Sequence, residues 1–168
     1  MDTLLNRRGV MMGQGKEPQQ YVVSLIPSSY ESPWKMTNPA NGYTDENSTT
    51  YASNSYANQT GERYFYFKFN TSAIPPNAVI DSVVCKAKGT RAYGTFTGTS
   101  TMQMYSGATP KGSEVNINPT PMVFTFSGVA WDRSEVSDVR IKLTRQCDSG
   151  TVRALCFYGA TLTITYTA

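Results

Sequence analysis

Apolar and polar residues alternate along most of this chain, with the two-residue period of a β-strand. In "RYFYFKFN" at 63–70, Phe65, Phe67 and Phe69 share one face, and Tyr64, Tyr66 and Lys68 share the other. At 79–92, Val83, Cys85 and Ala87 oppose Lys86 and Lys88. At 139–145, Val139, Ile141 and Leu143 line one face. "ALCFYGATLTITYT" at 154–167 is the most regular stretch, with Ala160, Leu162, Ile164 and Tyr166 on one side and threonines on the other. That pattern predicts a last strand that seals the core. Shorter strands are expected in "YVVSLIP" (21–27), "TMQMYSG" (101–107) and "MVFTFSG" (122–128). "GATPKGS" reads as a loop and "EVNIN" as weak strand.

"WDRSEVSDVR" at 131–140 holds one helical turn, with Asp132 or Ser134 as its cap. Pro75 and Pro76 force a turn after the Phe-rich strand. Residues 28–61 are rich in Ser, Asn, Tyr and Pro and read as a long loop with short edge strands. Seven to nine short strands between turn-rich loops predict an all-β fold, an antiparallel β-sandwich of jelly-roll-like type.

Composition narrows the chemistry. Charged residues make up 16% of the 168 residues, below the roughly 25% of ordinary soluble domains. The net charge of +3 is too small, and Lys and Arg too scattered, for a nucleic-acid groove. No apolar run approaches a membrane span, and residues 1–12 lack the pattern of a signal peptide. The absence of histidine removes the commonest general base and metal ligand. Cys85, Cys147 and Cys156 have no metal-site spacing and read as small buried thiols, although a hairpin at Asp148–Gly150 would let Cys147 face Cys156. The Asn-x-Ser/Thr triplets starting at Asn47, Asn58 and Asn70 read as turn chemistry.

Candidate reactive groups are few. Asp132, Glu135 and Asp138 resemble a glycosidase pair in their closeness, but they also suit a capped, exposed helical turn. Asp45, Glu46 and Asn47 offer oxygens without the six or more ligands of a calcium site. No enzyme, metal or cofactor is expected. Trp34, Tyr43, Tyr51 and Tyr56 fall in the polar loop region and form a candidate glycan-binding set, because aromatic rings stack on sugar faces; the same rings also suit plugs for the sandwich ends.

Residues 1–20 differ from the rest and read as an extended N-terminal arm before a domain at 21–168. Leu4, Leu5, Arg7, Arg8, Val10, Met11 and Met12 are its candidate anchor residues. Ordering twenty residues costs on the order of 20–40 kcal/mol of backbone entropy, while burying five apolar side chains returns roughly 8–15 kcal/mol. Such an arm becomes ordered only against a partner or several copies of itself. A homo-oligomer such as a trimer would share that cost.

"RYFYFKFNTSAIPPNAVIDSVVCKAKG", "TMQMYSG" followed by "KGS", "SDVRIKL" and "CFYGATLTITYT" together resemble a β-sandwich module of tailed-bacteriophage and prophage virion structural proteins. The resemblance covers about residues 60–168 and brings no catalytic residues. It implies a capsid decoration or head-fibre subunit, located in the virion, docked by its arm onto capsid, neck or tail proteins, with the sandwich exposed. The alternative is a carbohydrate-binding module that attaches its carrier to host or mucus glycans, with Trp34, Tyr43, Tyr51 and Tyr56 as its platform.

Overall fold

The structure is a computed structural model that describes residues 17–56, 61–92, 98–147 and 153–168, without the side chains of 55, 56, 92, 147 and 153. The candidate anchor residues Leu4, Leu5, Arg7, Arg8, Val10, Met11 and Met12 lie outside the described residues.

Ten strands form two antiparallel sheets. In chain order they are β1 (Gln20–Leu25), β2 (Pro27–Glu31), β3 (Ala52–Tyr56), β4 (Gly61–Phe69), β5 (Val79–Ala92), β6 (Ser100–Ser106), β7 (Thr109–Asn116), β8 (Met122–Phe126), β9 (Val139–Cys147) and β10 (Arg153–Thr167). One sheet, A, runs β1-β10-β5-β8, with β3 beside the first half of β10. The other, B, runs β2-β4-β9-β6-β7. From β3 onward the chain weaves between them so that β3-β10-β5-β8 faces β4-β9-β6-β7. This is the double Greek key of a jelly roll, and the expected antiparallel β-sandwich is present.

Strand faces follow the alternation. Phe65, Phe67, Ile141, Leu143, Leu162 and Ile164 are fully buried between the sheets, each contributing about 1.5–3 kcal/mol of hydrophobic stabilisation. Phe67 of sheet B meets Phe157 of sheet A with ring centroids 4.2 Å apart. The last strand lies inside its sheet, paired with β5 along nearly its whole length. It closes the core as the pattern predicts.

Four local expectations are corrected. The stretch 21–27 is not one strand: β1 ends at Leu25, the chain crosses at Ile26 from sheet A to sheet B, and Pro27 starts β2. "GATPKGS" is not a loop but lies largely in β7, an edge strand where the missing N–H of Pro110 is tolerated. Pairing begins inside the segment read as an arm, because Gln19 exchanges backbone hydrogen bonds with Ala168. The β9–β10 connection is not a hairpin, since those strands belong to different sheets. Cys85 and Cys156 are free, buried thiols.

The helical turn is α1 (Arg133–Val136). Asp132 Oδ1 accepts from the Glu135 N–H at 2.8 Å and Glu135 Oε2 accepts from the Asp132 N–H at 3.0 Å, a reciprocal cap that satisfies two otherwise orphan donors.

Candidate functional site

The outer face of sheet B is built by register. Tyr66 on β4 stands beside Lys142 on β9, which stands beside Gln103 on β6. One step along, Lys68, Arg140 and Tyr105 form the next row; one step back, Tyr64, Thr144 and Thr101 form another. Phe65, Phe67, Ile141, Leu143, Met102 and Met104 point inward between them and are buried. The pleat therefore turns three tyrosines from two strands outward onto one surface.

The tyrosines touch. Tyr64 and Tyr66 have ring centroids 5.6 Å apart at 65°, and Tyr66 and Tyr105 5.8 Å apart at 81°. The ammonium of Lys142 lies 5.1, 6.0 and 5.5 Å from the centroids of Tyr64, Tyr66 and Tyr105. Each such contact is worth roughly 0.5–1 kcal/mol at an exposed site, so Lys142 ties the three rings together. No phenol hydroxyl of the three bonds to a protein group among the described residues. Burial pushes the Tyr66 and Tyr105 hydroxyls above the ordinary tyrosine range.

Charge on this face is balanced. Lys68 pairs with Glu31 at 2.6 Å, Arg140 with Asp138 and, at 3.4 Å, with Glu31, and Lys142 with Glu62 at 3.9 Å. Hydrogen bonding from Lys68 holds the Glu31 carboxyl below its usual range, and from Arg140 does the same for Asp138. Three cations thus meet three carboxylates, and the ion pairs of this face balance.

The sequence-predicted aromatics lie elsewhere. Trp34 is half-buried, with the Arg63 guanidinium 3.8 Å from its ring centroid. Tyr43 is half-buried edge-on against Phe67, 6.3 Å between centroids. Tyr51 is on the surface, paired with Tyr158 at 5.2 Å; Lys88 lies over Tyr158 at 4.8 Å and donates to the Ser48 carbonyl. The Tyr56 side chain lies outside the described residues. No ring contact joins Trp34, Tyr43 and Tyr51 to one another among the described residues. The sheet-face set of Tyr64, Tyr66 and Tyr105 was not singled out, although "RYFYFKFN" carries the signal: aromatics on both faces of one strand leave rings outside the core.

The remaining acidic candidates are structural here. Asp132 and Glu135 form the cap, Glu135 also pairs with Lys111, and Asp138 holds Arg140. Hydrogen bonds hold all three carboxyls below their ordinary range, from the Ser134 hydroxyl and the Glu135 N–H for Asp132, from Lys111 for Glu135 and from Arg140 for Asp138, opposite to the raised value that a general acid needs. Asp45 Oδ1 accepts from the Asn47 N–H, and Glu46 accepts from the Thr161 hydroxyl.

No family model matches the chain, and no curated protein matches its sequence. Among solved structures, a carbohydrate-binding module, CBM61, in complex with beta-1,4-galactotriose is similar at 7% identity and a TM-score of 0.43, covering 84% of this chain and 86% of that one. The C-terminal CBM6 of LamC, a marine laminarinase from Zobellia galactanivorans, is similar at 10% identity and a TM-score of 0.35, covering 85% and 99%. Both are carbohydrate-binding modules and neither is a virion protein. The expectation of a bacteriophage capsid-decoration or head-fibre subunit is corrected by this finding and is not carried further.

Proposed function

We propose that this domain is a carbohydrate-binding module that holds an uncharged polysaccharide across the outer face of sheet B. The observation that carries this reading is the cluster of Tyr64, Tyr66 and Tyr105 around Lys142, with three hydroxyls bonded to no protein group among the described residues. A sugar ring has an apolar C–H face and a rim of hydroxyls. A tyrosine has an apolar ring and a polar tip, so the two surfaces match. Gln103, Arg140 and Lys68 add donors and Glu31 and Glu62 add acceptors around the rings.

The geometry also bears on the form of the glycan. The rings stand at steep angles to one another, so they cannot lie together on a flat crystalline surface. They suit a single twisted chain in solution. The balanced charge of the face favours neutral sugars over polyanions.

A panel of soluble neutral and acidic polysaccharides in affinity gel electrophoresis tests this. The expected result is retardation by at least one neutral polysaccharide, lost in the Tyr66→Ala/Tyr105→Ala double variant with unchanged thermal unfolding. Retardation that survives in the double variant would place binding elsewhere, and no retardation by any polysaccharide would remove the glycan reading.

A further inference from the structure

At one end of the sandwich the inward faces stop being apolar. On β4 and β9 the alternation that buries Phe65, Phe67, Ile141 and Leu143 continues to Arg63 and Arg145. These two are direct cross-strand partners and are 9% and 2% exposed. On sheet A the matching row is Asn54, Leu155 and Arg91, on β3, β10 and β5. Arg91 shares the inward face of Cys85 and Ala87, which are fully buried. Arg145 Nη1 donates to Asn54 Oδ1 at 3.5 Å, so the two rows face each other across the interior. Three guanidiniums are thus turned into the same end of the core.

Arginine stays ionised, and like charges directly opposite on one sheet face repel. Burial raises that cost unless negative charge lies close by. Two of the contacts here are with neutral groups. The Trp34 ring centroid lies 3.8 Å from the Arg63 guanidinium. Asn54 donates to the Lys35 carbonyl at 2.8 Å, which fixes its oxygen toward Arg145. Further contacts engage all three arginines, but the sequence supplies little negative charge for them. Glu62, next to Arg63, is on the outer face and pairs with Lys142. The β3–β4, β5–β6 and β9–β10 connections all leave from this end, and the one acid in them is Asp148.

Arg91 indicates the chemistry of what is added. Its guanidinium is engaged elsewhere, yet its Nε–H is buried with no acceptor among the described residues. A surplus of inward cations and a buried donor call for the same group, an acceptor that carries negative charge. The guanidinium fork fits two oxygens of one oxyanion at a time. Burial sets the size. Arg145 leaves almost no surface on which a polymer could lie, so the anion is small and free rather than carried on a chain.

We infer that this end of the sandwich interior binds one small free oxyanion, of the phosphate or sulfate kind, between Arg63, Arg91 and Arg145. The site is independent of the glycan reading, which concerns the outer face of sheet B.

The test uses the full chain, unfolded in urea and refolded in chloride buffer so that no carried-over oxyanion remains. Inorganic phosphate, sulfate and acetate are titrated at constant ionic strength, following the arginine Nε–H signals of the 15N-labelled protein and the thermal midpoint. Phosphate or sulfate should move the Arg91 signal saturably and raise the midpoint, because an ion that binds only the folded state stabilises it. Arg91→Gln should need about tenfold more ion for the same rise, since a charge-assisted fork is lost. Lys86→Gln removes an outward charge from the same strand and should respond as the parent does. Arg91→Lys, which keeps the charge but loses the fork and the Nε–H, replaces Arg91→Gln where that variant fails to fold. No saturable shift with phosphate or sulfate overturns the inference, as does a response to acetate alone. An equal midpoint rise in the parent and the Arg91 variant places the ion elsewhere and overturns it too.

Discussion

Gly159→Ala probes the place where the long loop before β3 locks onto sheet A. β10 carries a bulge there: Phe157 pairs with Gly89, and Gly159, two residues on, pairs with Lys88. The bulge is clamped from outside. The Thr44 carbonyl accepts from the Ala160 N–H at 2.9 Å, and the Thr44 hydroxyl donates to the Tyr158 carbonyl at 2.8 Å. Gly159 has φ 145°, and a Cβ would lie 2.4 Å from the carbonyl oxygens of both Thr44 and Asp45. Those are backbone atoms, so no rotamer change relieves the overlap. The backbone conformation costs a non-glycine residue roughly 1–3 kcal/mol, and forcing the loop off the sheet adds about 1–3 kcal/mol. The natural control is Gly128→Ala, at φ 75° with nothing within 4 Å of its Cβ, where only a left-handed cost of roughly 1–2 kcal/mol applies. Urea unfolding of the two variants should differ by about 2 kcal/mol or more. By heat this is a gap of about 4–8 °C. Equal midpoints would refute the packing of this loop against the bulge.

Other outcomes follow from the same structure. Leu162→Ala, at a fully buried position of the central strand β10, should cost about 2–5 kcal/mol in urea unfolding; a loss under 1 kcal/mol would mean that the last strand does not seal the core. Burial pushes the Cys156 thiol up to about 11 and Cys85 higher still, so iodoacetamide at pH 8 should leave both unlabelled in the native protein and label both in urea, as read by peptide mass spectrometry. The Asp138 carboxyl is depressed in the folded state by Arg140. Its stabilising contribution is therefore present above its unfolded value and is lost as pH falls through its folded value; Asp138→Asn should lower the thermal midpoint at neutral pH and converge on the parent at low pH, so that its midpoint falls less steeply at the acid end. Lys142→Met should leave the fold intact but broaden the ring signals of Tyr64, Tyr66 and Tyr105, because the ammonium that holds them together is gone.

Strand identity was legible in the chain because burial imposes the alternation directly. Phe65, Phe67 and Phe69 are inward because they alternate with tyrosine and lysine, and no tertiary information is needed to see it. Neighbour relations were not legible. Alternation assigns a residue to a face but says nothing of which strand lies beside it, so consecutive β9 and β10 read as a hairpin when they lie in opposite sheets. β7 was hidden by its own edge position: Pro110, Lys111 and Gly112 are residues that an edge strand tolerates and a loop favours. The site was hidden for a related reason. Trp34 and Tyr43 sit in polar sequence that suits display as well as plugs for the sandwich ends; the loop folds back and uses them as packing against Arg63 and Phe67. Tyr66, Lys142 and Tyr105 are far apart in sequence and meet only through the register of three strands. The outward tyrosines of β4 were visible; the surface they belong to was not.

The central claim is that a glycan lies across the tyrosine face of sheet B. The most direct measurement is to map, by 13C-resolved spectra of the aromatic rings, where a polysaccharide that retards the protein makes contact. The account expects shifts at Tyr64, Tyr66 and Tyr105 together, with Trp34, Tyr43 and Tyr51 unmoved. Shifts confined to Tyr51 and its neighbours, with the three sheet-face rings silent, would contradict it.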